Sequence, residues 1–102
     1  MAPLEIDRYV LETLMPDLIG HDRRPSAFIV YLALWHLADG SRDGTAAASL
    51  RTLAEATGLS KRAVQTAIAK LVRRRLVTVS RSNPTAIPAY RVLRPWARRK
   101  SG

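Results

Sequence analysis

Residues 50–68, LRTLAEATGLSKRAVQTAI, decide the fold of this chain. Leu50, Leu53 and Ala54 recur at positions i, i+3 and i+4, which is the spacing of an apolar stripe on a helix. Gly58 follows at a point where the chain must turn sharply. The stretch therefore predicts two short helices joined by a tight turn.

The second of these helices begins after Ser60, a residue type that caps helix starts, and is predicted to run to about Arg74. Its apolar positions share one face and are Val64, Ile68, Leu71 and Val72. Roughly opposite lie Arg62, Thr66, Ala69 and Arg73. The pattern is that of a helix-turn-helix, and a solvent face of Arg, Thr and a small residue suits a DNA groove.

The charge of the chain is strongly positive and unevenly spread. Seventeen Lys and Arg stand against eight Asp and Glu, a net charge of +9 with an isoelectric point near 11.3, which favours an anionic partner. Residues 1–22 hold one Arg and five acids, a charge of −4, so residues 23–102 carry +13. The half that contains the helix-turn-helix is therefore the basic half.

With 102 residues and 47% hydrophobic content, the chain is the size of one globular domain with a single core. It has no cysteine, which excludes disulfides and thiolate sites and fits a reducing compartment, so a cytoplasmic location is expected. Its first residues lack the basic and apolar regions of a signal peptide. The longest apolar run, residues 27–38, is shorter than the roughly 20 residues that a bilayer requires, so no membrane partner is expected.

The sequence before Pro25 predicts an amphipathic helix and a linker. Pro3 suits the first turn of a helix, and Pro16, which lacks an N–H and restricts its predecessor, is expected to end that helix at about Met15. Residues 20–25 then form a polar linker. The apolar stripe of the helix must pack against another surface and consists of Leu4, Val10, Leu11, Leu14 and Leu18.

A second, apolar helix is predicted to begin near Pro25-Ser26 and to end at Asp39-Gly40, with Gly40 as the left-handed residue at its end. Between residues 27 and 38 only His36 is polar, so the helix should be buried on more than one side. One side would lie on the helix-turn-helix. The other would take the N-terminal helix, from the same subunit or from a partner, which motivates the hypothesis of a homodimer.

Short extended segments flank the helix-turn-helix. Residues 46–48 lead to Ser49, a good N-cap for the helix at 50–57. After the second helix, two β-like runs at 76–81 and 90–93 are separated by a turn-rich loop. Two strands and a loop directly behind a reading helix form a wing, so the predicted fold class is mainly α with a β-hairpin (α+β).

A longer motif extends this pattern: Ser49-Leu50-x-x-Leu53-Ala54-x-x-x-Gly58-Leu59-Ser60-x-x-x-Val64-x-x-x-Ile68-x-x-Leu71, followed by Arg73-Arg74-Arg75-Leu76-Val77. On this motif the chain from about Ser26 to Leu93 resembles the winged helix-turn-helix regulators of bacteria, with MarR-like and GntR-like repressors as the nearest comparison. Arg75 departs from the pattern, because relatives often carry glycine at this helix exit. We divide the chain into an N-terminal helix and linker that could mediate dimerisation at 1–24, a winged domain at 25–94 and a basic tail at 95–102.

If the second helix enters the major groove, its first residues reach the base edges, which nominates Lys61, Arg62, Gln65 and Thr66. Arg62 would pair with guanine and Gln65 with adenine, each good pair contributing about 1–3 kcal/mol of discrimination. Contacts to the DNA backbone are predicted for Ser49, Arg51, Thr52, Ser60, Ala69, Lys70 and Arg73. The wing candidates, for the minor groove or the backbone beside it, are Arg81, Asn83 and Thr85.

Each of these groups also has a purely structural interpretation. Residues 61–73 could present an ordinary solvated face, and the wing residues an ordinary hairpin loop. The run 73–75 could simply complement the negative end of its helix. The tail bases Arg98, Arg99 and Lys100 could be a solubilising tail or a DNA-tracking arm. Tyr31 and Trp35 are interpreted as core residues.

No catalytic or metal-binding constellation stands out. His21 and His36 lack a second ligand at metal-binding spacing, and the chain has no nucleophile elbow or Gly-rich phosphate loop. We therefore predict a protein that is not an enzyme and uses no metal, cofactor or small-molecule ligand.

The resulting prediction is a sequence-specific double-stranded DNA-binding protein that regulates transcription, in the repressor class that the resemblance implies, as a homodimer on a two-fold site. Two alternatives stay open: plasmid or phage replication initiation or partition, and a winged domain for protein–protein contact. The Arg62, Thr66 and Arg73 stripe argues against protein contact, because such faces more often present aromatics. RNA binding would lack an aromatic stacking platform.

Overall fold

The structure, a computed structural model, describes residues 2–97. Within that range two π-helical segments are followed by three α-helices and three strands. Their bounds are Val10–Leu14 and Pro16–His21 for the π-helical segments, then α1 Pro25–Ala38, β1 Thr45–Ala47, α2 Leu50–Thr57, α3 Lys61–Arg73, β2 Val77–Ser80 and β3 Ala89–Val92. This is the predicted α+β architecture of a winged helix-turn-helix, with α2 and α3 as the motif and the β2–β3 hairpin as the wing.

The N-terminal helix differs from the prediction at both ends. The chain is not yet helical at Pro3; helical structure begins at Arg8 and continues past Pro16 to His21. Pro16 is the first residue of the second segment, the helix position at which proline is best tolerated. The turns are wide, with N–H groups donating to carbonyls five residues earlier. The predicted linker at 20–25 is correspondingly shorter.

The N-terminal segments pack on α1 of their own chain. Val10, Leu14 and Leu18 are at most 3% exposed and belong to the same core cluster as the helix-turn-helix. Three residues of the predicted apolar stripe are therefore buried within their own subunit. The prediction is wrong for Leu4 and Leu11, which are 38% and 46% exposed.

Helix α1 is the centre of the core. It contacts α2, α3, the sheet and the Pro16–His21 segment, which confirms the prediction of burial on more than one side. Tyr31 is a core residue, as predicted, and its hydroxyl donates to the Leu93 carbonyl across 2.8 Å. Gly40 follows the helix with φ +90°, the predicted left-handed conformation. No helix within residues 2–97 combines the length and apolarity needed to span a bilayer.

The three strands form an antiparallel sheet in the order β1-β3-β2, so β3 is the central strand. Arg91 in β3 is paired with Thr45 of β1 on one side and with Thr78 of β2 on the other. Tyr90, only 2% exposed, points from the same strand into the core. The wing is therefore joined to the strand that precedes the helix-turn-helix.

The exit from α3 is made without glycine. Arg75 adopts the left-handed conformation, with φ +59°, and the Leu76 N–H then donates to the Leu71 carbonyl. This is the conformation for which the resembling regulators often use glycine. A non-glycine residue there carries a cost of about 1–2 kcal/mol that the surrounding packing must offset.

The two ends of the described chain are held together. The Asp7 carboxylate accepts bonds from the Arg94 guanidinium at 2.9 and 3.0 Å and from the Trp96 indole N–H at 2.9 Å. Tyr9 stacks on Trp96 with ring centroids 4.5 Å apart. The predictions for the tail bases 98–100 lie outside the described residues.

Candidate nucleic-acid interface

Helix α3 presents one buried face and one exposed face. The buried face packs on the core through Val64, Ala67, Ile68 and Leu71. The exposed face, here named the reading face, carries Lys61, Arg62, Gln65, Thr66, Ala69 and Arg73. The prediction that Val72 lies on the buried face is wrong: it is 42% exposed, because it lies two turns after Gln65 on the same side. The helix contains no acidic residue, so the reading face is cationic or neutral throughout.

The turn between α2 and α3 is held by local hydrogen bonds. Gly58 has φ +80° and is the left-handed residue that ends α2. The Thr57 hydroxyl donates to a carbonyl one turn earlier at 2.7 Å and accepts the Leu59 N–H at 3.2 Å. The Ser60 hydroxyl oxygen then accepts the Ala63 N–H at 3.0 Å, which confirms the predicted cap. These bonds set the direction in which α3 leaves the turn.

The start of α2 offers polar groups beside the reading face. The Ser49 hydroxyl oxygen accepts the Thr52 N–H at 3.0 Å, as predicted for an N-cap, and bonds the Thr52 hydroxyl at the same distance. Arg51 is exposed and its guanidinium lies 3.3 Å from the Glu55 carboxylate. An exposed pair of this kind is weak, so Arg51 can exchange its partner at little cost.

The wing loop is organised by two of its candidate residues. The Arg81 guanidinium donates to the carbonyls of Pro84 and Ala86 at 3.5 and 3.4 Å. The Asn83 amide oxygen accepts the Thr85 N–H at 3.0 Å and the Thr85 hydroxyl at 2.9 Å. Arg81, Asn83 and Thr85 are all exposed while they make these bonds.

An open groove brings several predicted contacts together. The first residues of α2, the first residue of α3 and the wing loop line it jointly, and its polar lining includes Ser49, Arg51, Lys61, Arg81 and Thr85. A second groove runs between the reading face and the wing, past Gln65, Ala69 and Arg81. Three separate elements therefore present cations along one continuous side of the molecule.

Lys70 does not share that side. Its ammonium lies 3.5 Å from the Asp22 carboxylate and its side chain is 22% exposed. The Arg74 guanidinium bonds the same Asp22 carboxylate and reaches Asp17 at 2.5 Å. These four side chains, Asp17, Asp22, Lys70 and Arg74, are named the back cluster. The sequence does not predict the back cluster. The available signal is the contrast in charge between the acidic residues 1–22 and the basic residues 23–102.

The charges of the back cluster stabilise one another. Burial alone would raise the pKa of Asp22, but hydrogen bonds from His21 and Arg74 hold it below the ordinary value of 3.8. The hydrogen bond to Asp17 raises the pKa of Arg74, against the opposing effect of burial. Possible metal ligands of Asp17, His21 and Asp22 lie within 4.8 Å of one another, but Arg74 already engages both carboxylates. Ion pairing accounts for this cluster.

Comparison with known proteins bears on the same part of the chain. A search of curated proteins gave no match. Among solved structures, the chain is similar to the apo form of a cysteine-and-histidine double mutant of ZitR from Lactococcus lactis, at 17% identity and a TM-score of 0.49, over 95% of this chain and 72% of that one. A likeness this distant carries no argument about function. A family model described as "Helix-turn-helix domain" matches residues 24–77, more than half of the chain. The chain belongs to this helix-turn-helix domain family.

Proposed function

We propose that the protein is a transcriptional regulator of the repressor class that reads double-stranded DNA in a sequence-specific way as a homodimer. The observation that carries this proposal is the reading face, where Arg62 and Gln65 are exposed on the first two turns of a helix without acidic residues. A helix fits the major groove. There Arg62 can make two hydrogen bonds to the edge of a guanine, and Gln65 two to the edge of an adenine.

Sequence-independent contacts would come from the elements around α3. The groove at the start of α2 presents Arg51 and Arg81, which would follow one DNA strand between the major and minor grooves, beside Lys61, the first of the proposed base-reading residues. Thr52, Ser60 and Arg73 would add backbone contacts on the same side, and Thr66 would add a base contact. Ala69 is small, so the helix can approach the groove floor closely. Asn83 and Thr85 would lie at the minor groove.

Dimerisation is proposed because one module of this size contacts few base pairs. Each copy measures 39 × 31 × 31 Å, a width similar to one turn of DNA, about 34–36 Å, so two copies side by side have the right size for half-sites one turn apart. The proposed contact is the outer side of the N-terminal segments, where Leu11, Met15 and Ile19 are between 37% and 46% exposed. Light scattering that finds a monomer at high micromolar concentration, with and without DNA, would refute this part.

Selection from a random-sequence duplex pool, across a series of salt concentrations, tests the DNA-reading part. Wild type should enrich a palindromic sequence. The R62A/Q65A double variant should lose that enrichment and retain salt-sensitive binding to any duplex.

The matched control is Arg8→Ala, which removes a base whose side chain is 83% exposed on the N-terminal segment. It should leave the enriched sequence unchanged. Weak, unselective binding by wild type, unaltered in the double variant, would contradict the proposal and redirect the search for a partner to proteins.

A further inference from the structure

The back cluster joins the last turn of α3 to the N-terminal segment. Arg74 caps the end of α3 and contacts two carboxylates. Asp17 lies in the Pro16–His21 segment, and Asp22 directly follows that segment. Asp22 is 10% exposed and also receives Lys70 at 3.5 Å. A guanidinium shared between two carboxylates has a defined direction, unlike a single exposed ion pair.

The cluster lies at the opposite end of α3 from the base-reading residues. Arg62 and Arg74 are 12 residues apart, or about 18 Å along the helix axis. The reading end is held by the Gly58 turn and the Ser60 cap, and the far end by core packing and the back cluster. A helix fixed at both ends has a defined tilt. Base recognition requires that tilt, because functional groups must be held to within about 0.5 Å or 10–20°.

We infer that Asp17 and Asp22 are positioning residues for DNA reading: through Arg74 they hold α3 at the tilt that brings Arg62 and Gln65 to the base edges. The inference rests on the proposed function. Lys70 and Arg74 are neutralised by the carboxylates and face away from the reading face, so they add little to the attraction of phosphate. The back cluster therefore contributes to discrimination between DNA sequences rather than to the overall affinity for DNA.

Arg73 and Arg74 provide a matched pair for the test. They are adjacent in the chain, but Arg73 lies on the reading face and Arg74 in the back cluster. Replacing either by glutamine removes one positive charge. The Asp22→Asn variant changes the charge of the back cluster by the same amount in the opposite sense.

The probes are the duplex that wild type enriches from a random pool and a random-sequence duplex of equal length. The measured quantities are the ratio of the two affinities and the salt dependence of each. R74Q and D22N should both lower the ratio, by about threefold to tenfold, no more than one mismatched base pair does. R73Q should weaken binding to both duplexes alike and reduce the salt slope by about 1.

A purely electrostatic role predicts a different result: R74Q and D22N would shift overall affinity in opposite directions and leave the ratio unchanged. That outcome, with a selective wild type, overturns the inference and leaves the proposed function standing. A wild type that selects no sequence overturns both. Circular dichroism on each variant verifies folding. If R74Q is unfolded, Arg74→Lys replaces it, and a ratio equal to that of wild type would overturn the inference.

Discussion

The N-terminal segment and the reading face use their charges in opposite ways. In the N-terminal region, three carboxylates bind Lys and Arg side chains that lie between 48 and 87 residues further along the chain. On the reading face, Lys61, Arg62 and Arg73 take part in no ion pair within residues 2–97. The chain thus uses one set of charges to hold its fold and leaves the other set for a ligand.

The largest effect should come from breaking the packing under the N-terminal segment. Leu14→Ala removes a side chain that is 3% exposed and should lower the free energy of unfolding by about 2–5 kcal/mol. Urea denaturation measures it. Leu37→Ala, which removes a side chain that is 39% exposed on α1, is the control and should change stability by at most about 0.5 kcal/mol. If Leu14→Ala lowers the free energy of unfolding by less than about 0.5 kcal/mol, the N-terminal segment contributes little to the stability of the fold.

The next largest effect concerns sequence discrimination by the reading face. Arg62→Ala should reduce discrimination for the enriched duplex over its single-base variants by about 1–3 kcal/mol at one position, because a bidentate contact to a base is lost. Its stability should stay within about 0.5 kcal/mol of wild type, since the side chain is exposed. Competition binding with single-base variants measures the first quantity. Uniform weakening on every duplex would assign Arg62 to phosphate instead.

Two glycines should respond to alanine with opposite signs. Gly58 has φ +80°, so Gly58→Ala should destabilise the protein by about 1–2 kcal/mol through backbone strain alone, as an added Cβ meets nothing within 4 Å. Gly20 lies in the N-terminal helical region without a positive φ and with the same free space. Gly20→Ala should therefore stabilise by about 0.4–1 kcal/mol. Thermal unfolding of both variants tests the pair, and equal signs would contradict it.

The smallest effect concerns acid. Because the pKa of Asp22 is lowered in the folded protein, the native state binds this proton less readily than the unfolded chain does. The resulting stabilisation is complete above the ordinary pKa of 3.8 and is lost as the pH falls through the lowered value. Between about pH 6 and pH 2, the unfolding free energy should fall more steeply in wild type than in D22N. Parallel curves would show that Asp22 contributes no pH-dependent stabilisation.

The helix-turn-helix was predictable because its signals are local. Helix α2 has the bounds expected from Ser49 and Gly58, and α3 ends one residue before the expected position. A serine cap and a left-handed glycine act within four residues, so their effect does not depend on the rest of the fold. Val72 shows the limit, because an apolar residue at the edge of a helical stripe is buried only where a neighbour covers it.

The N-terminal region was less predictable because its structure depends on distant partners. Pro16 is a strong local stop signal, yet the helical region continues past it, on a stripe that packs against α1. The back cluster joins Asp22 to Arg74 across 52 positions. Charge counting shows that the two halves differ in sign, but only the fold decides which acid meets which base.

The sheet also has a consequence for the order in which the chain can fold. The β1–β3 pairing closes a loop from residue 45 to residue 91, and the whole helix-turn-helix lies inside that loop. During synthesis, α2 and α3 leave the ribosome before the central strand β3, which pairs with β1 and β2, has been made. The motif and its wing should therefore form one cooperative unit, whose slow step is the meeting of strands that are far apart in sequence.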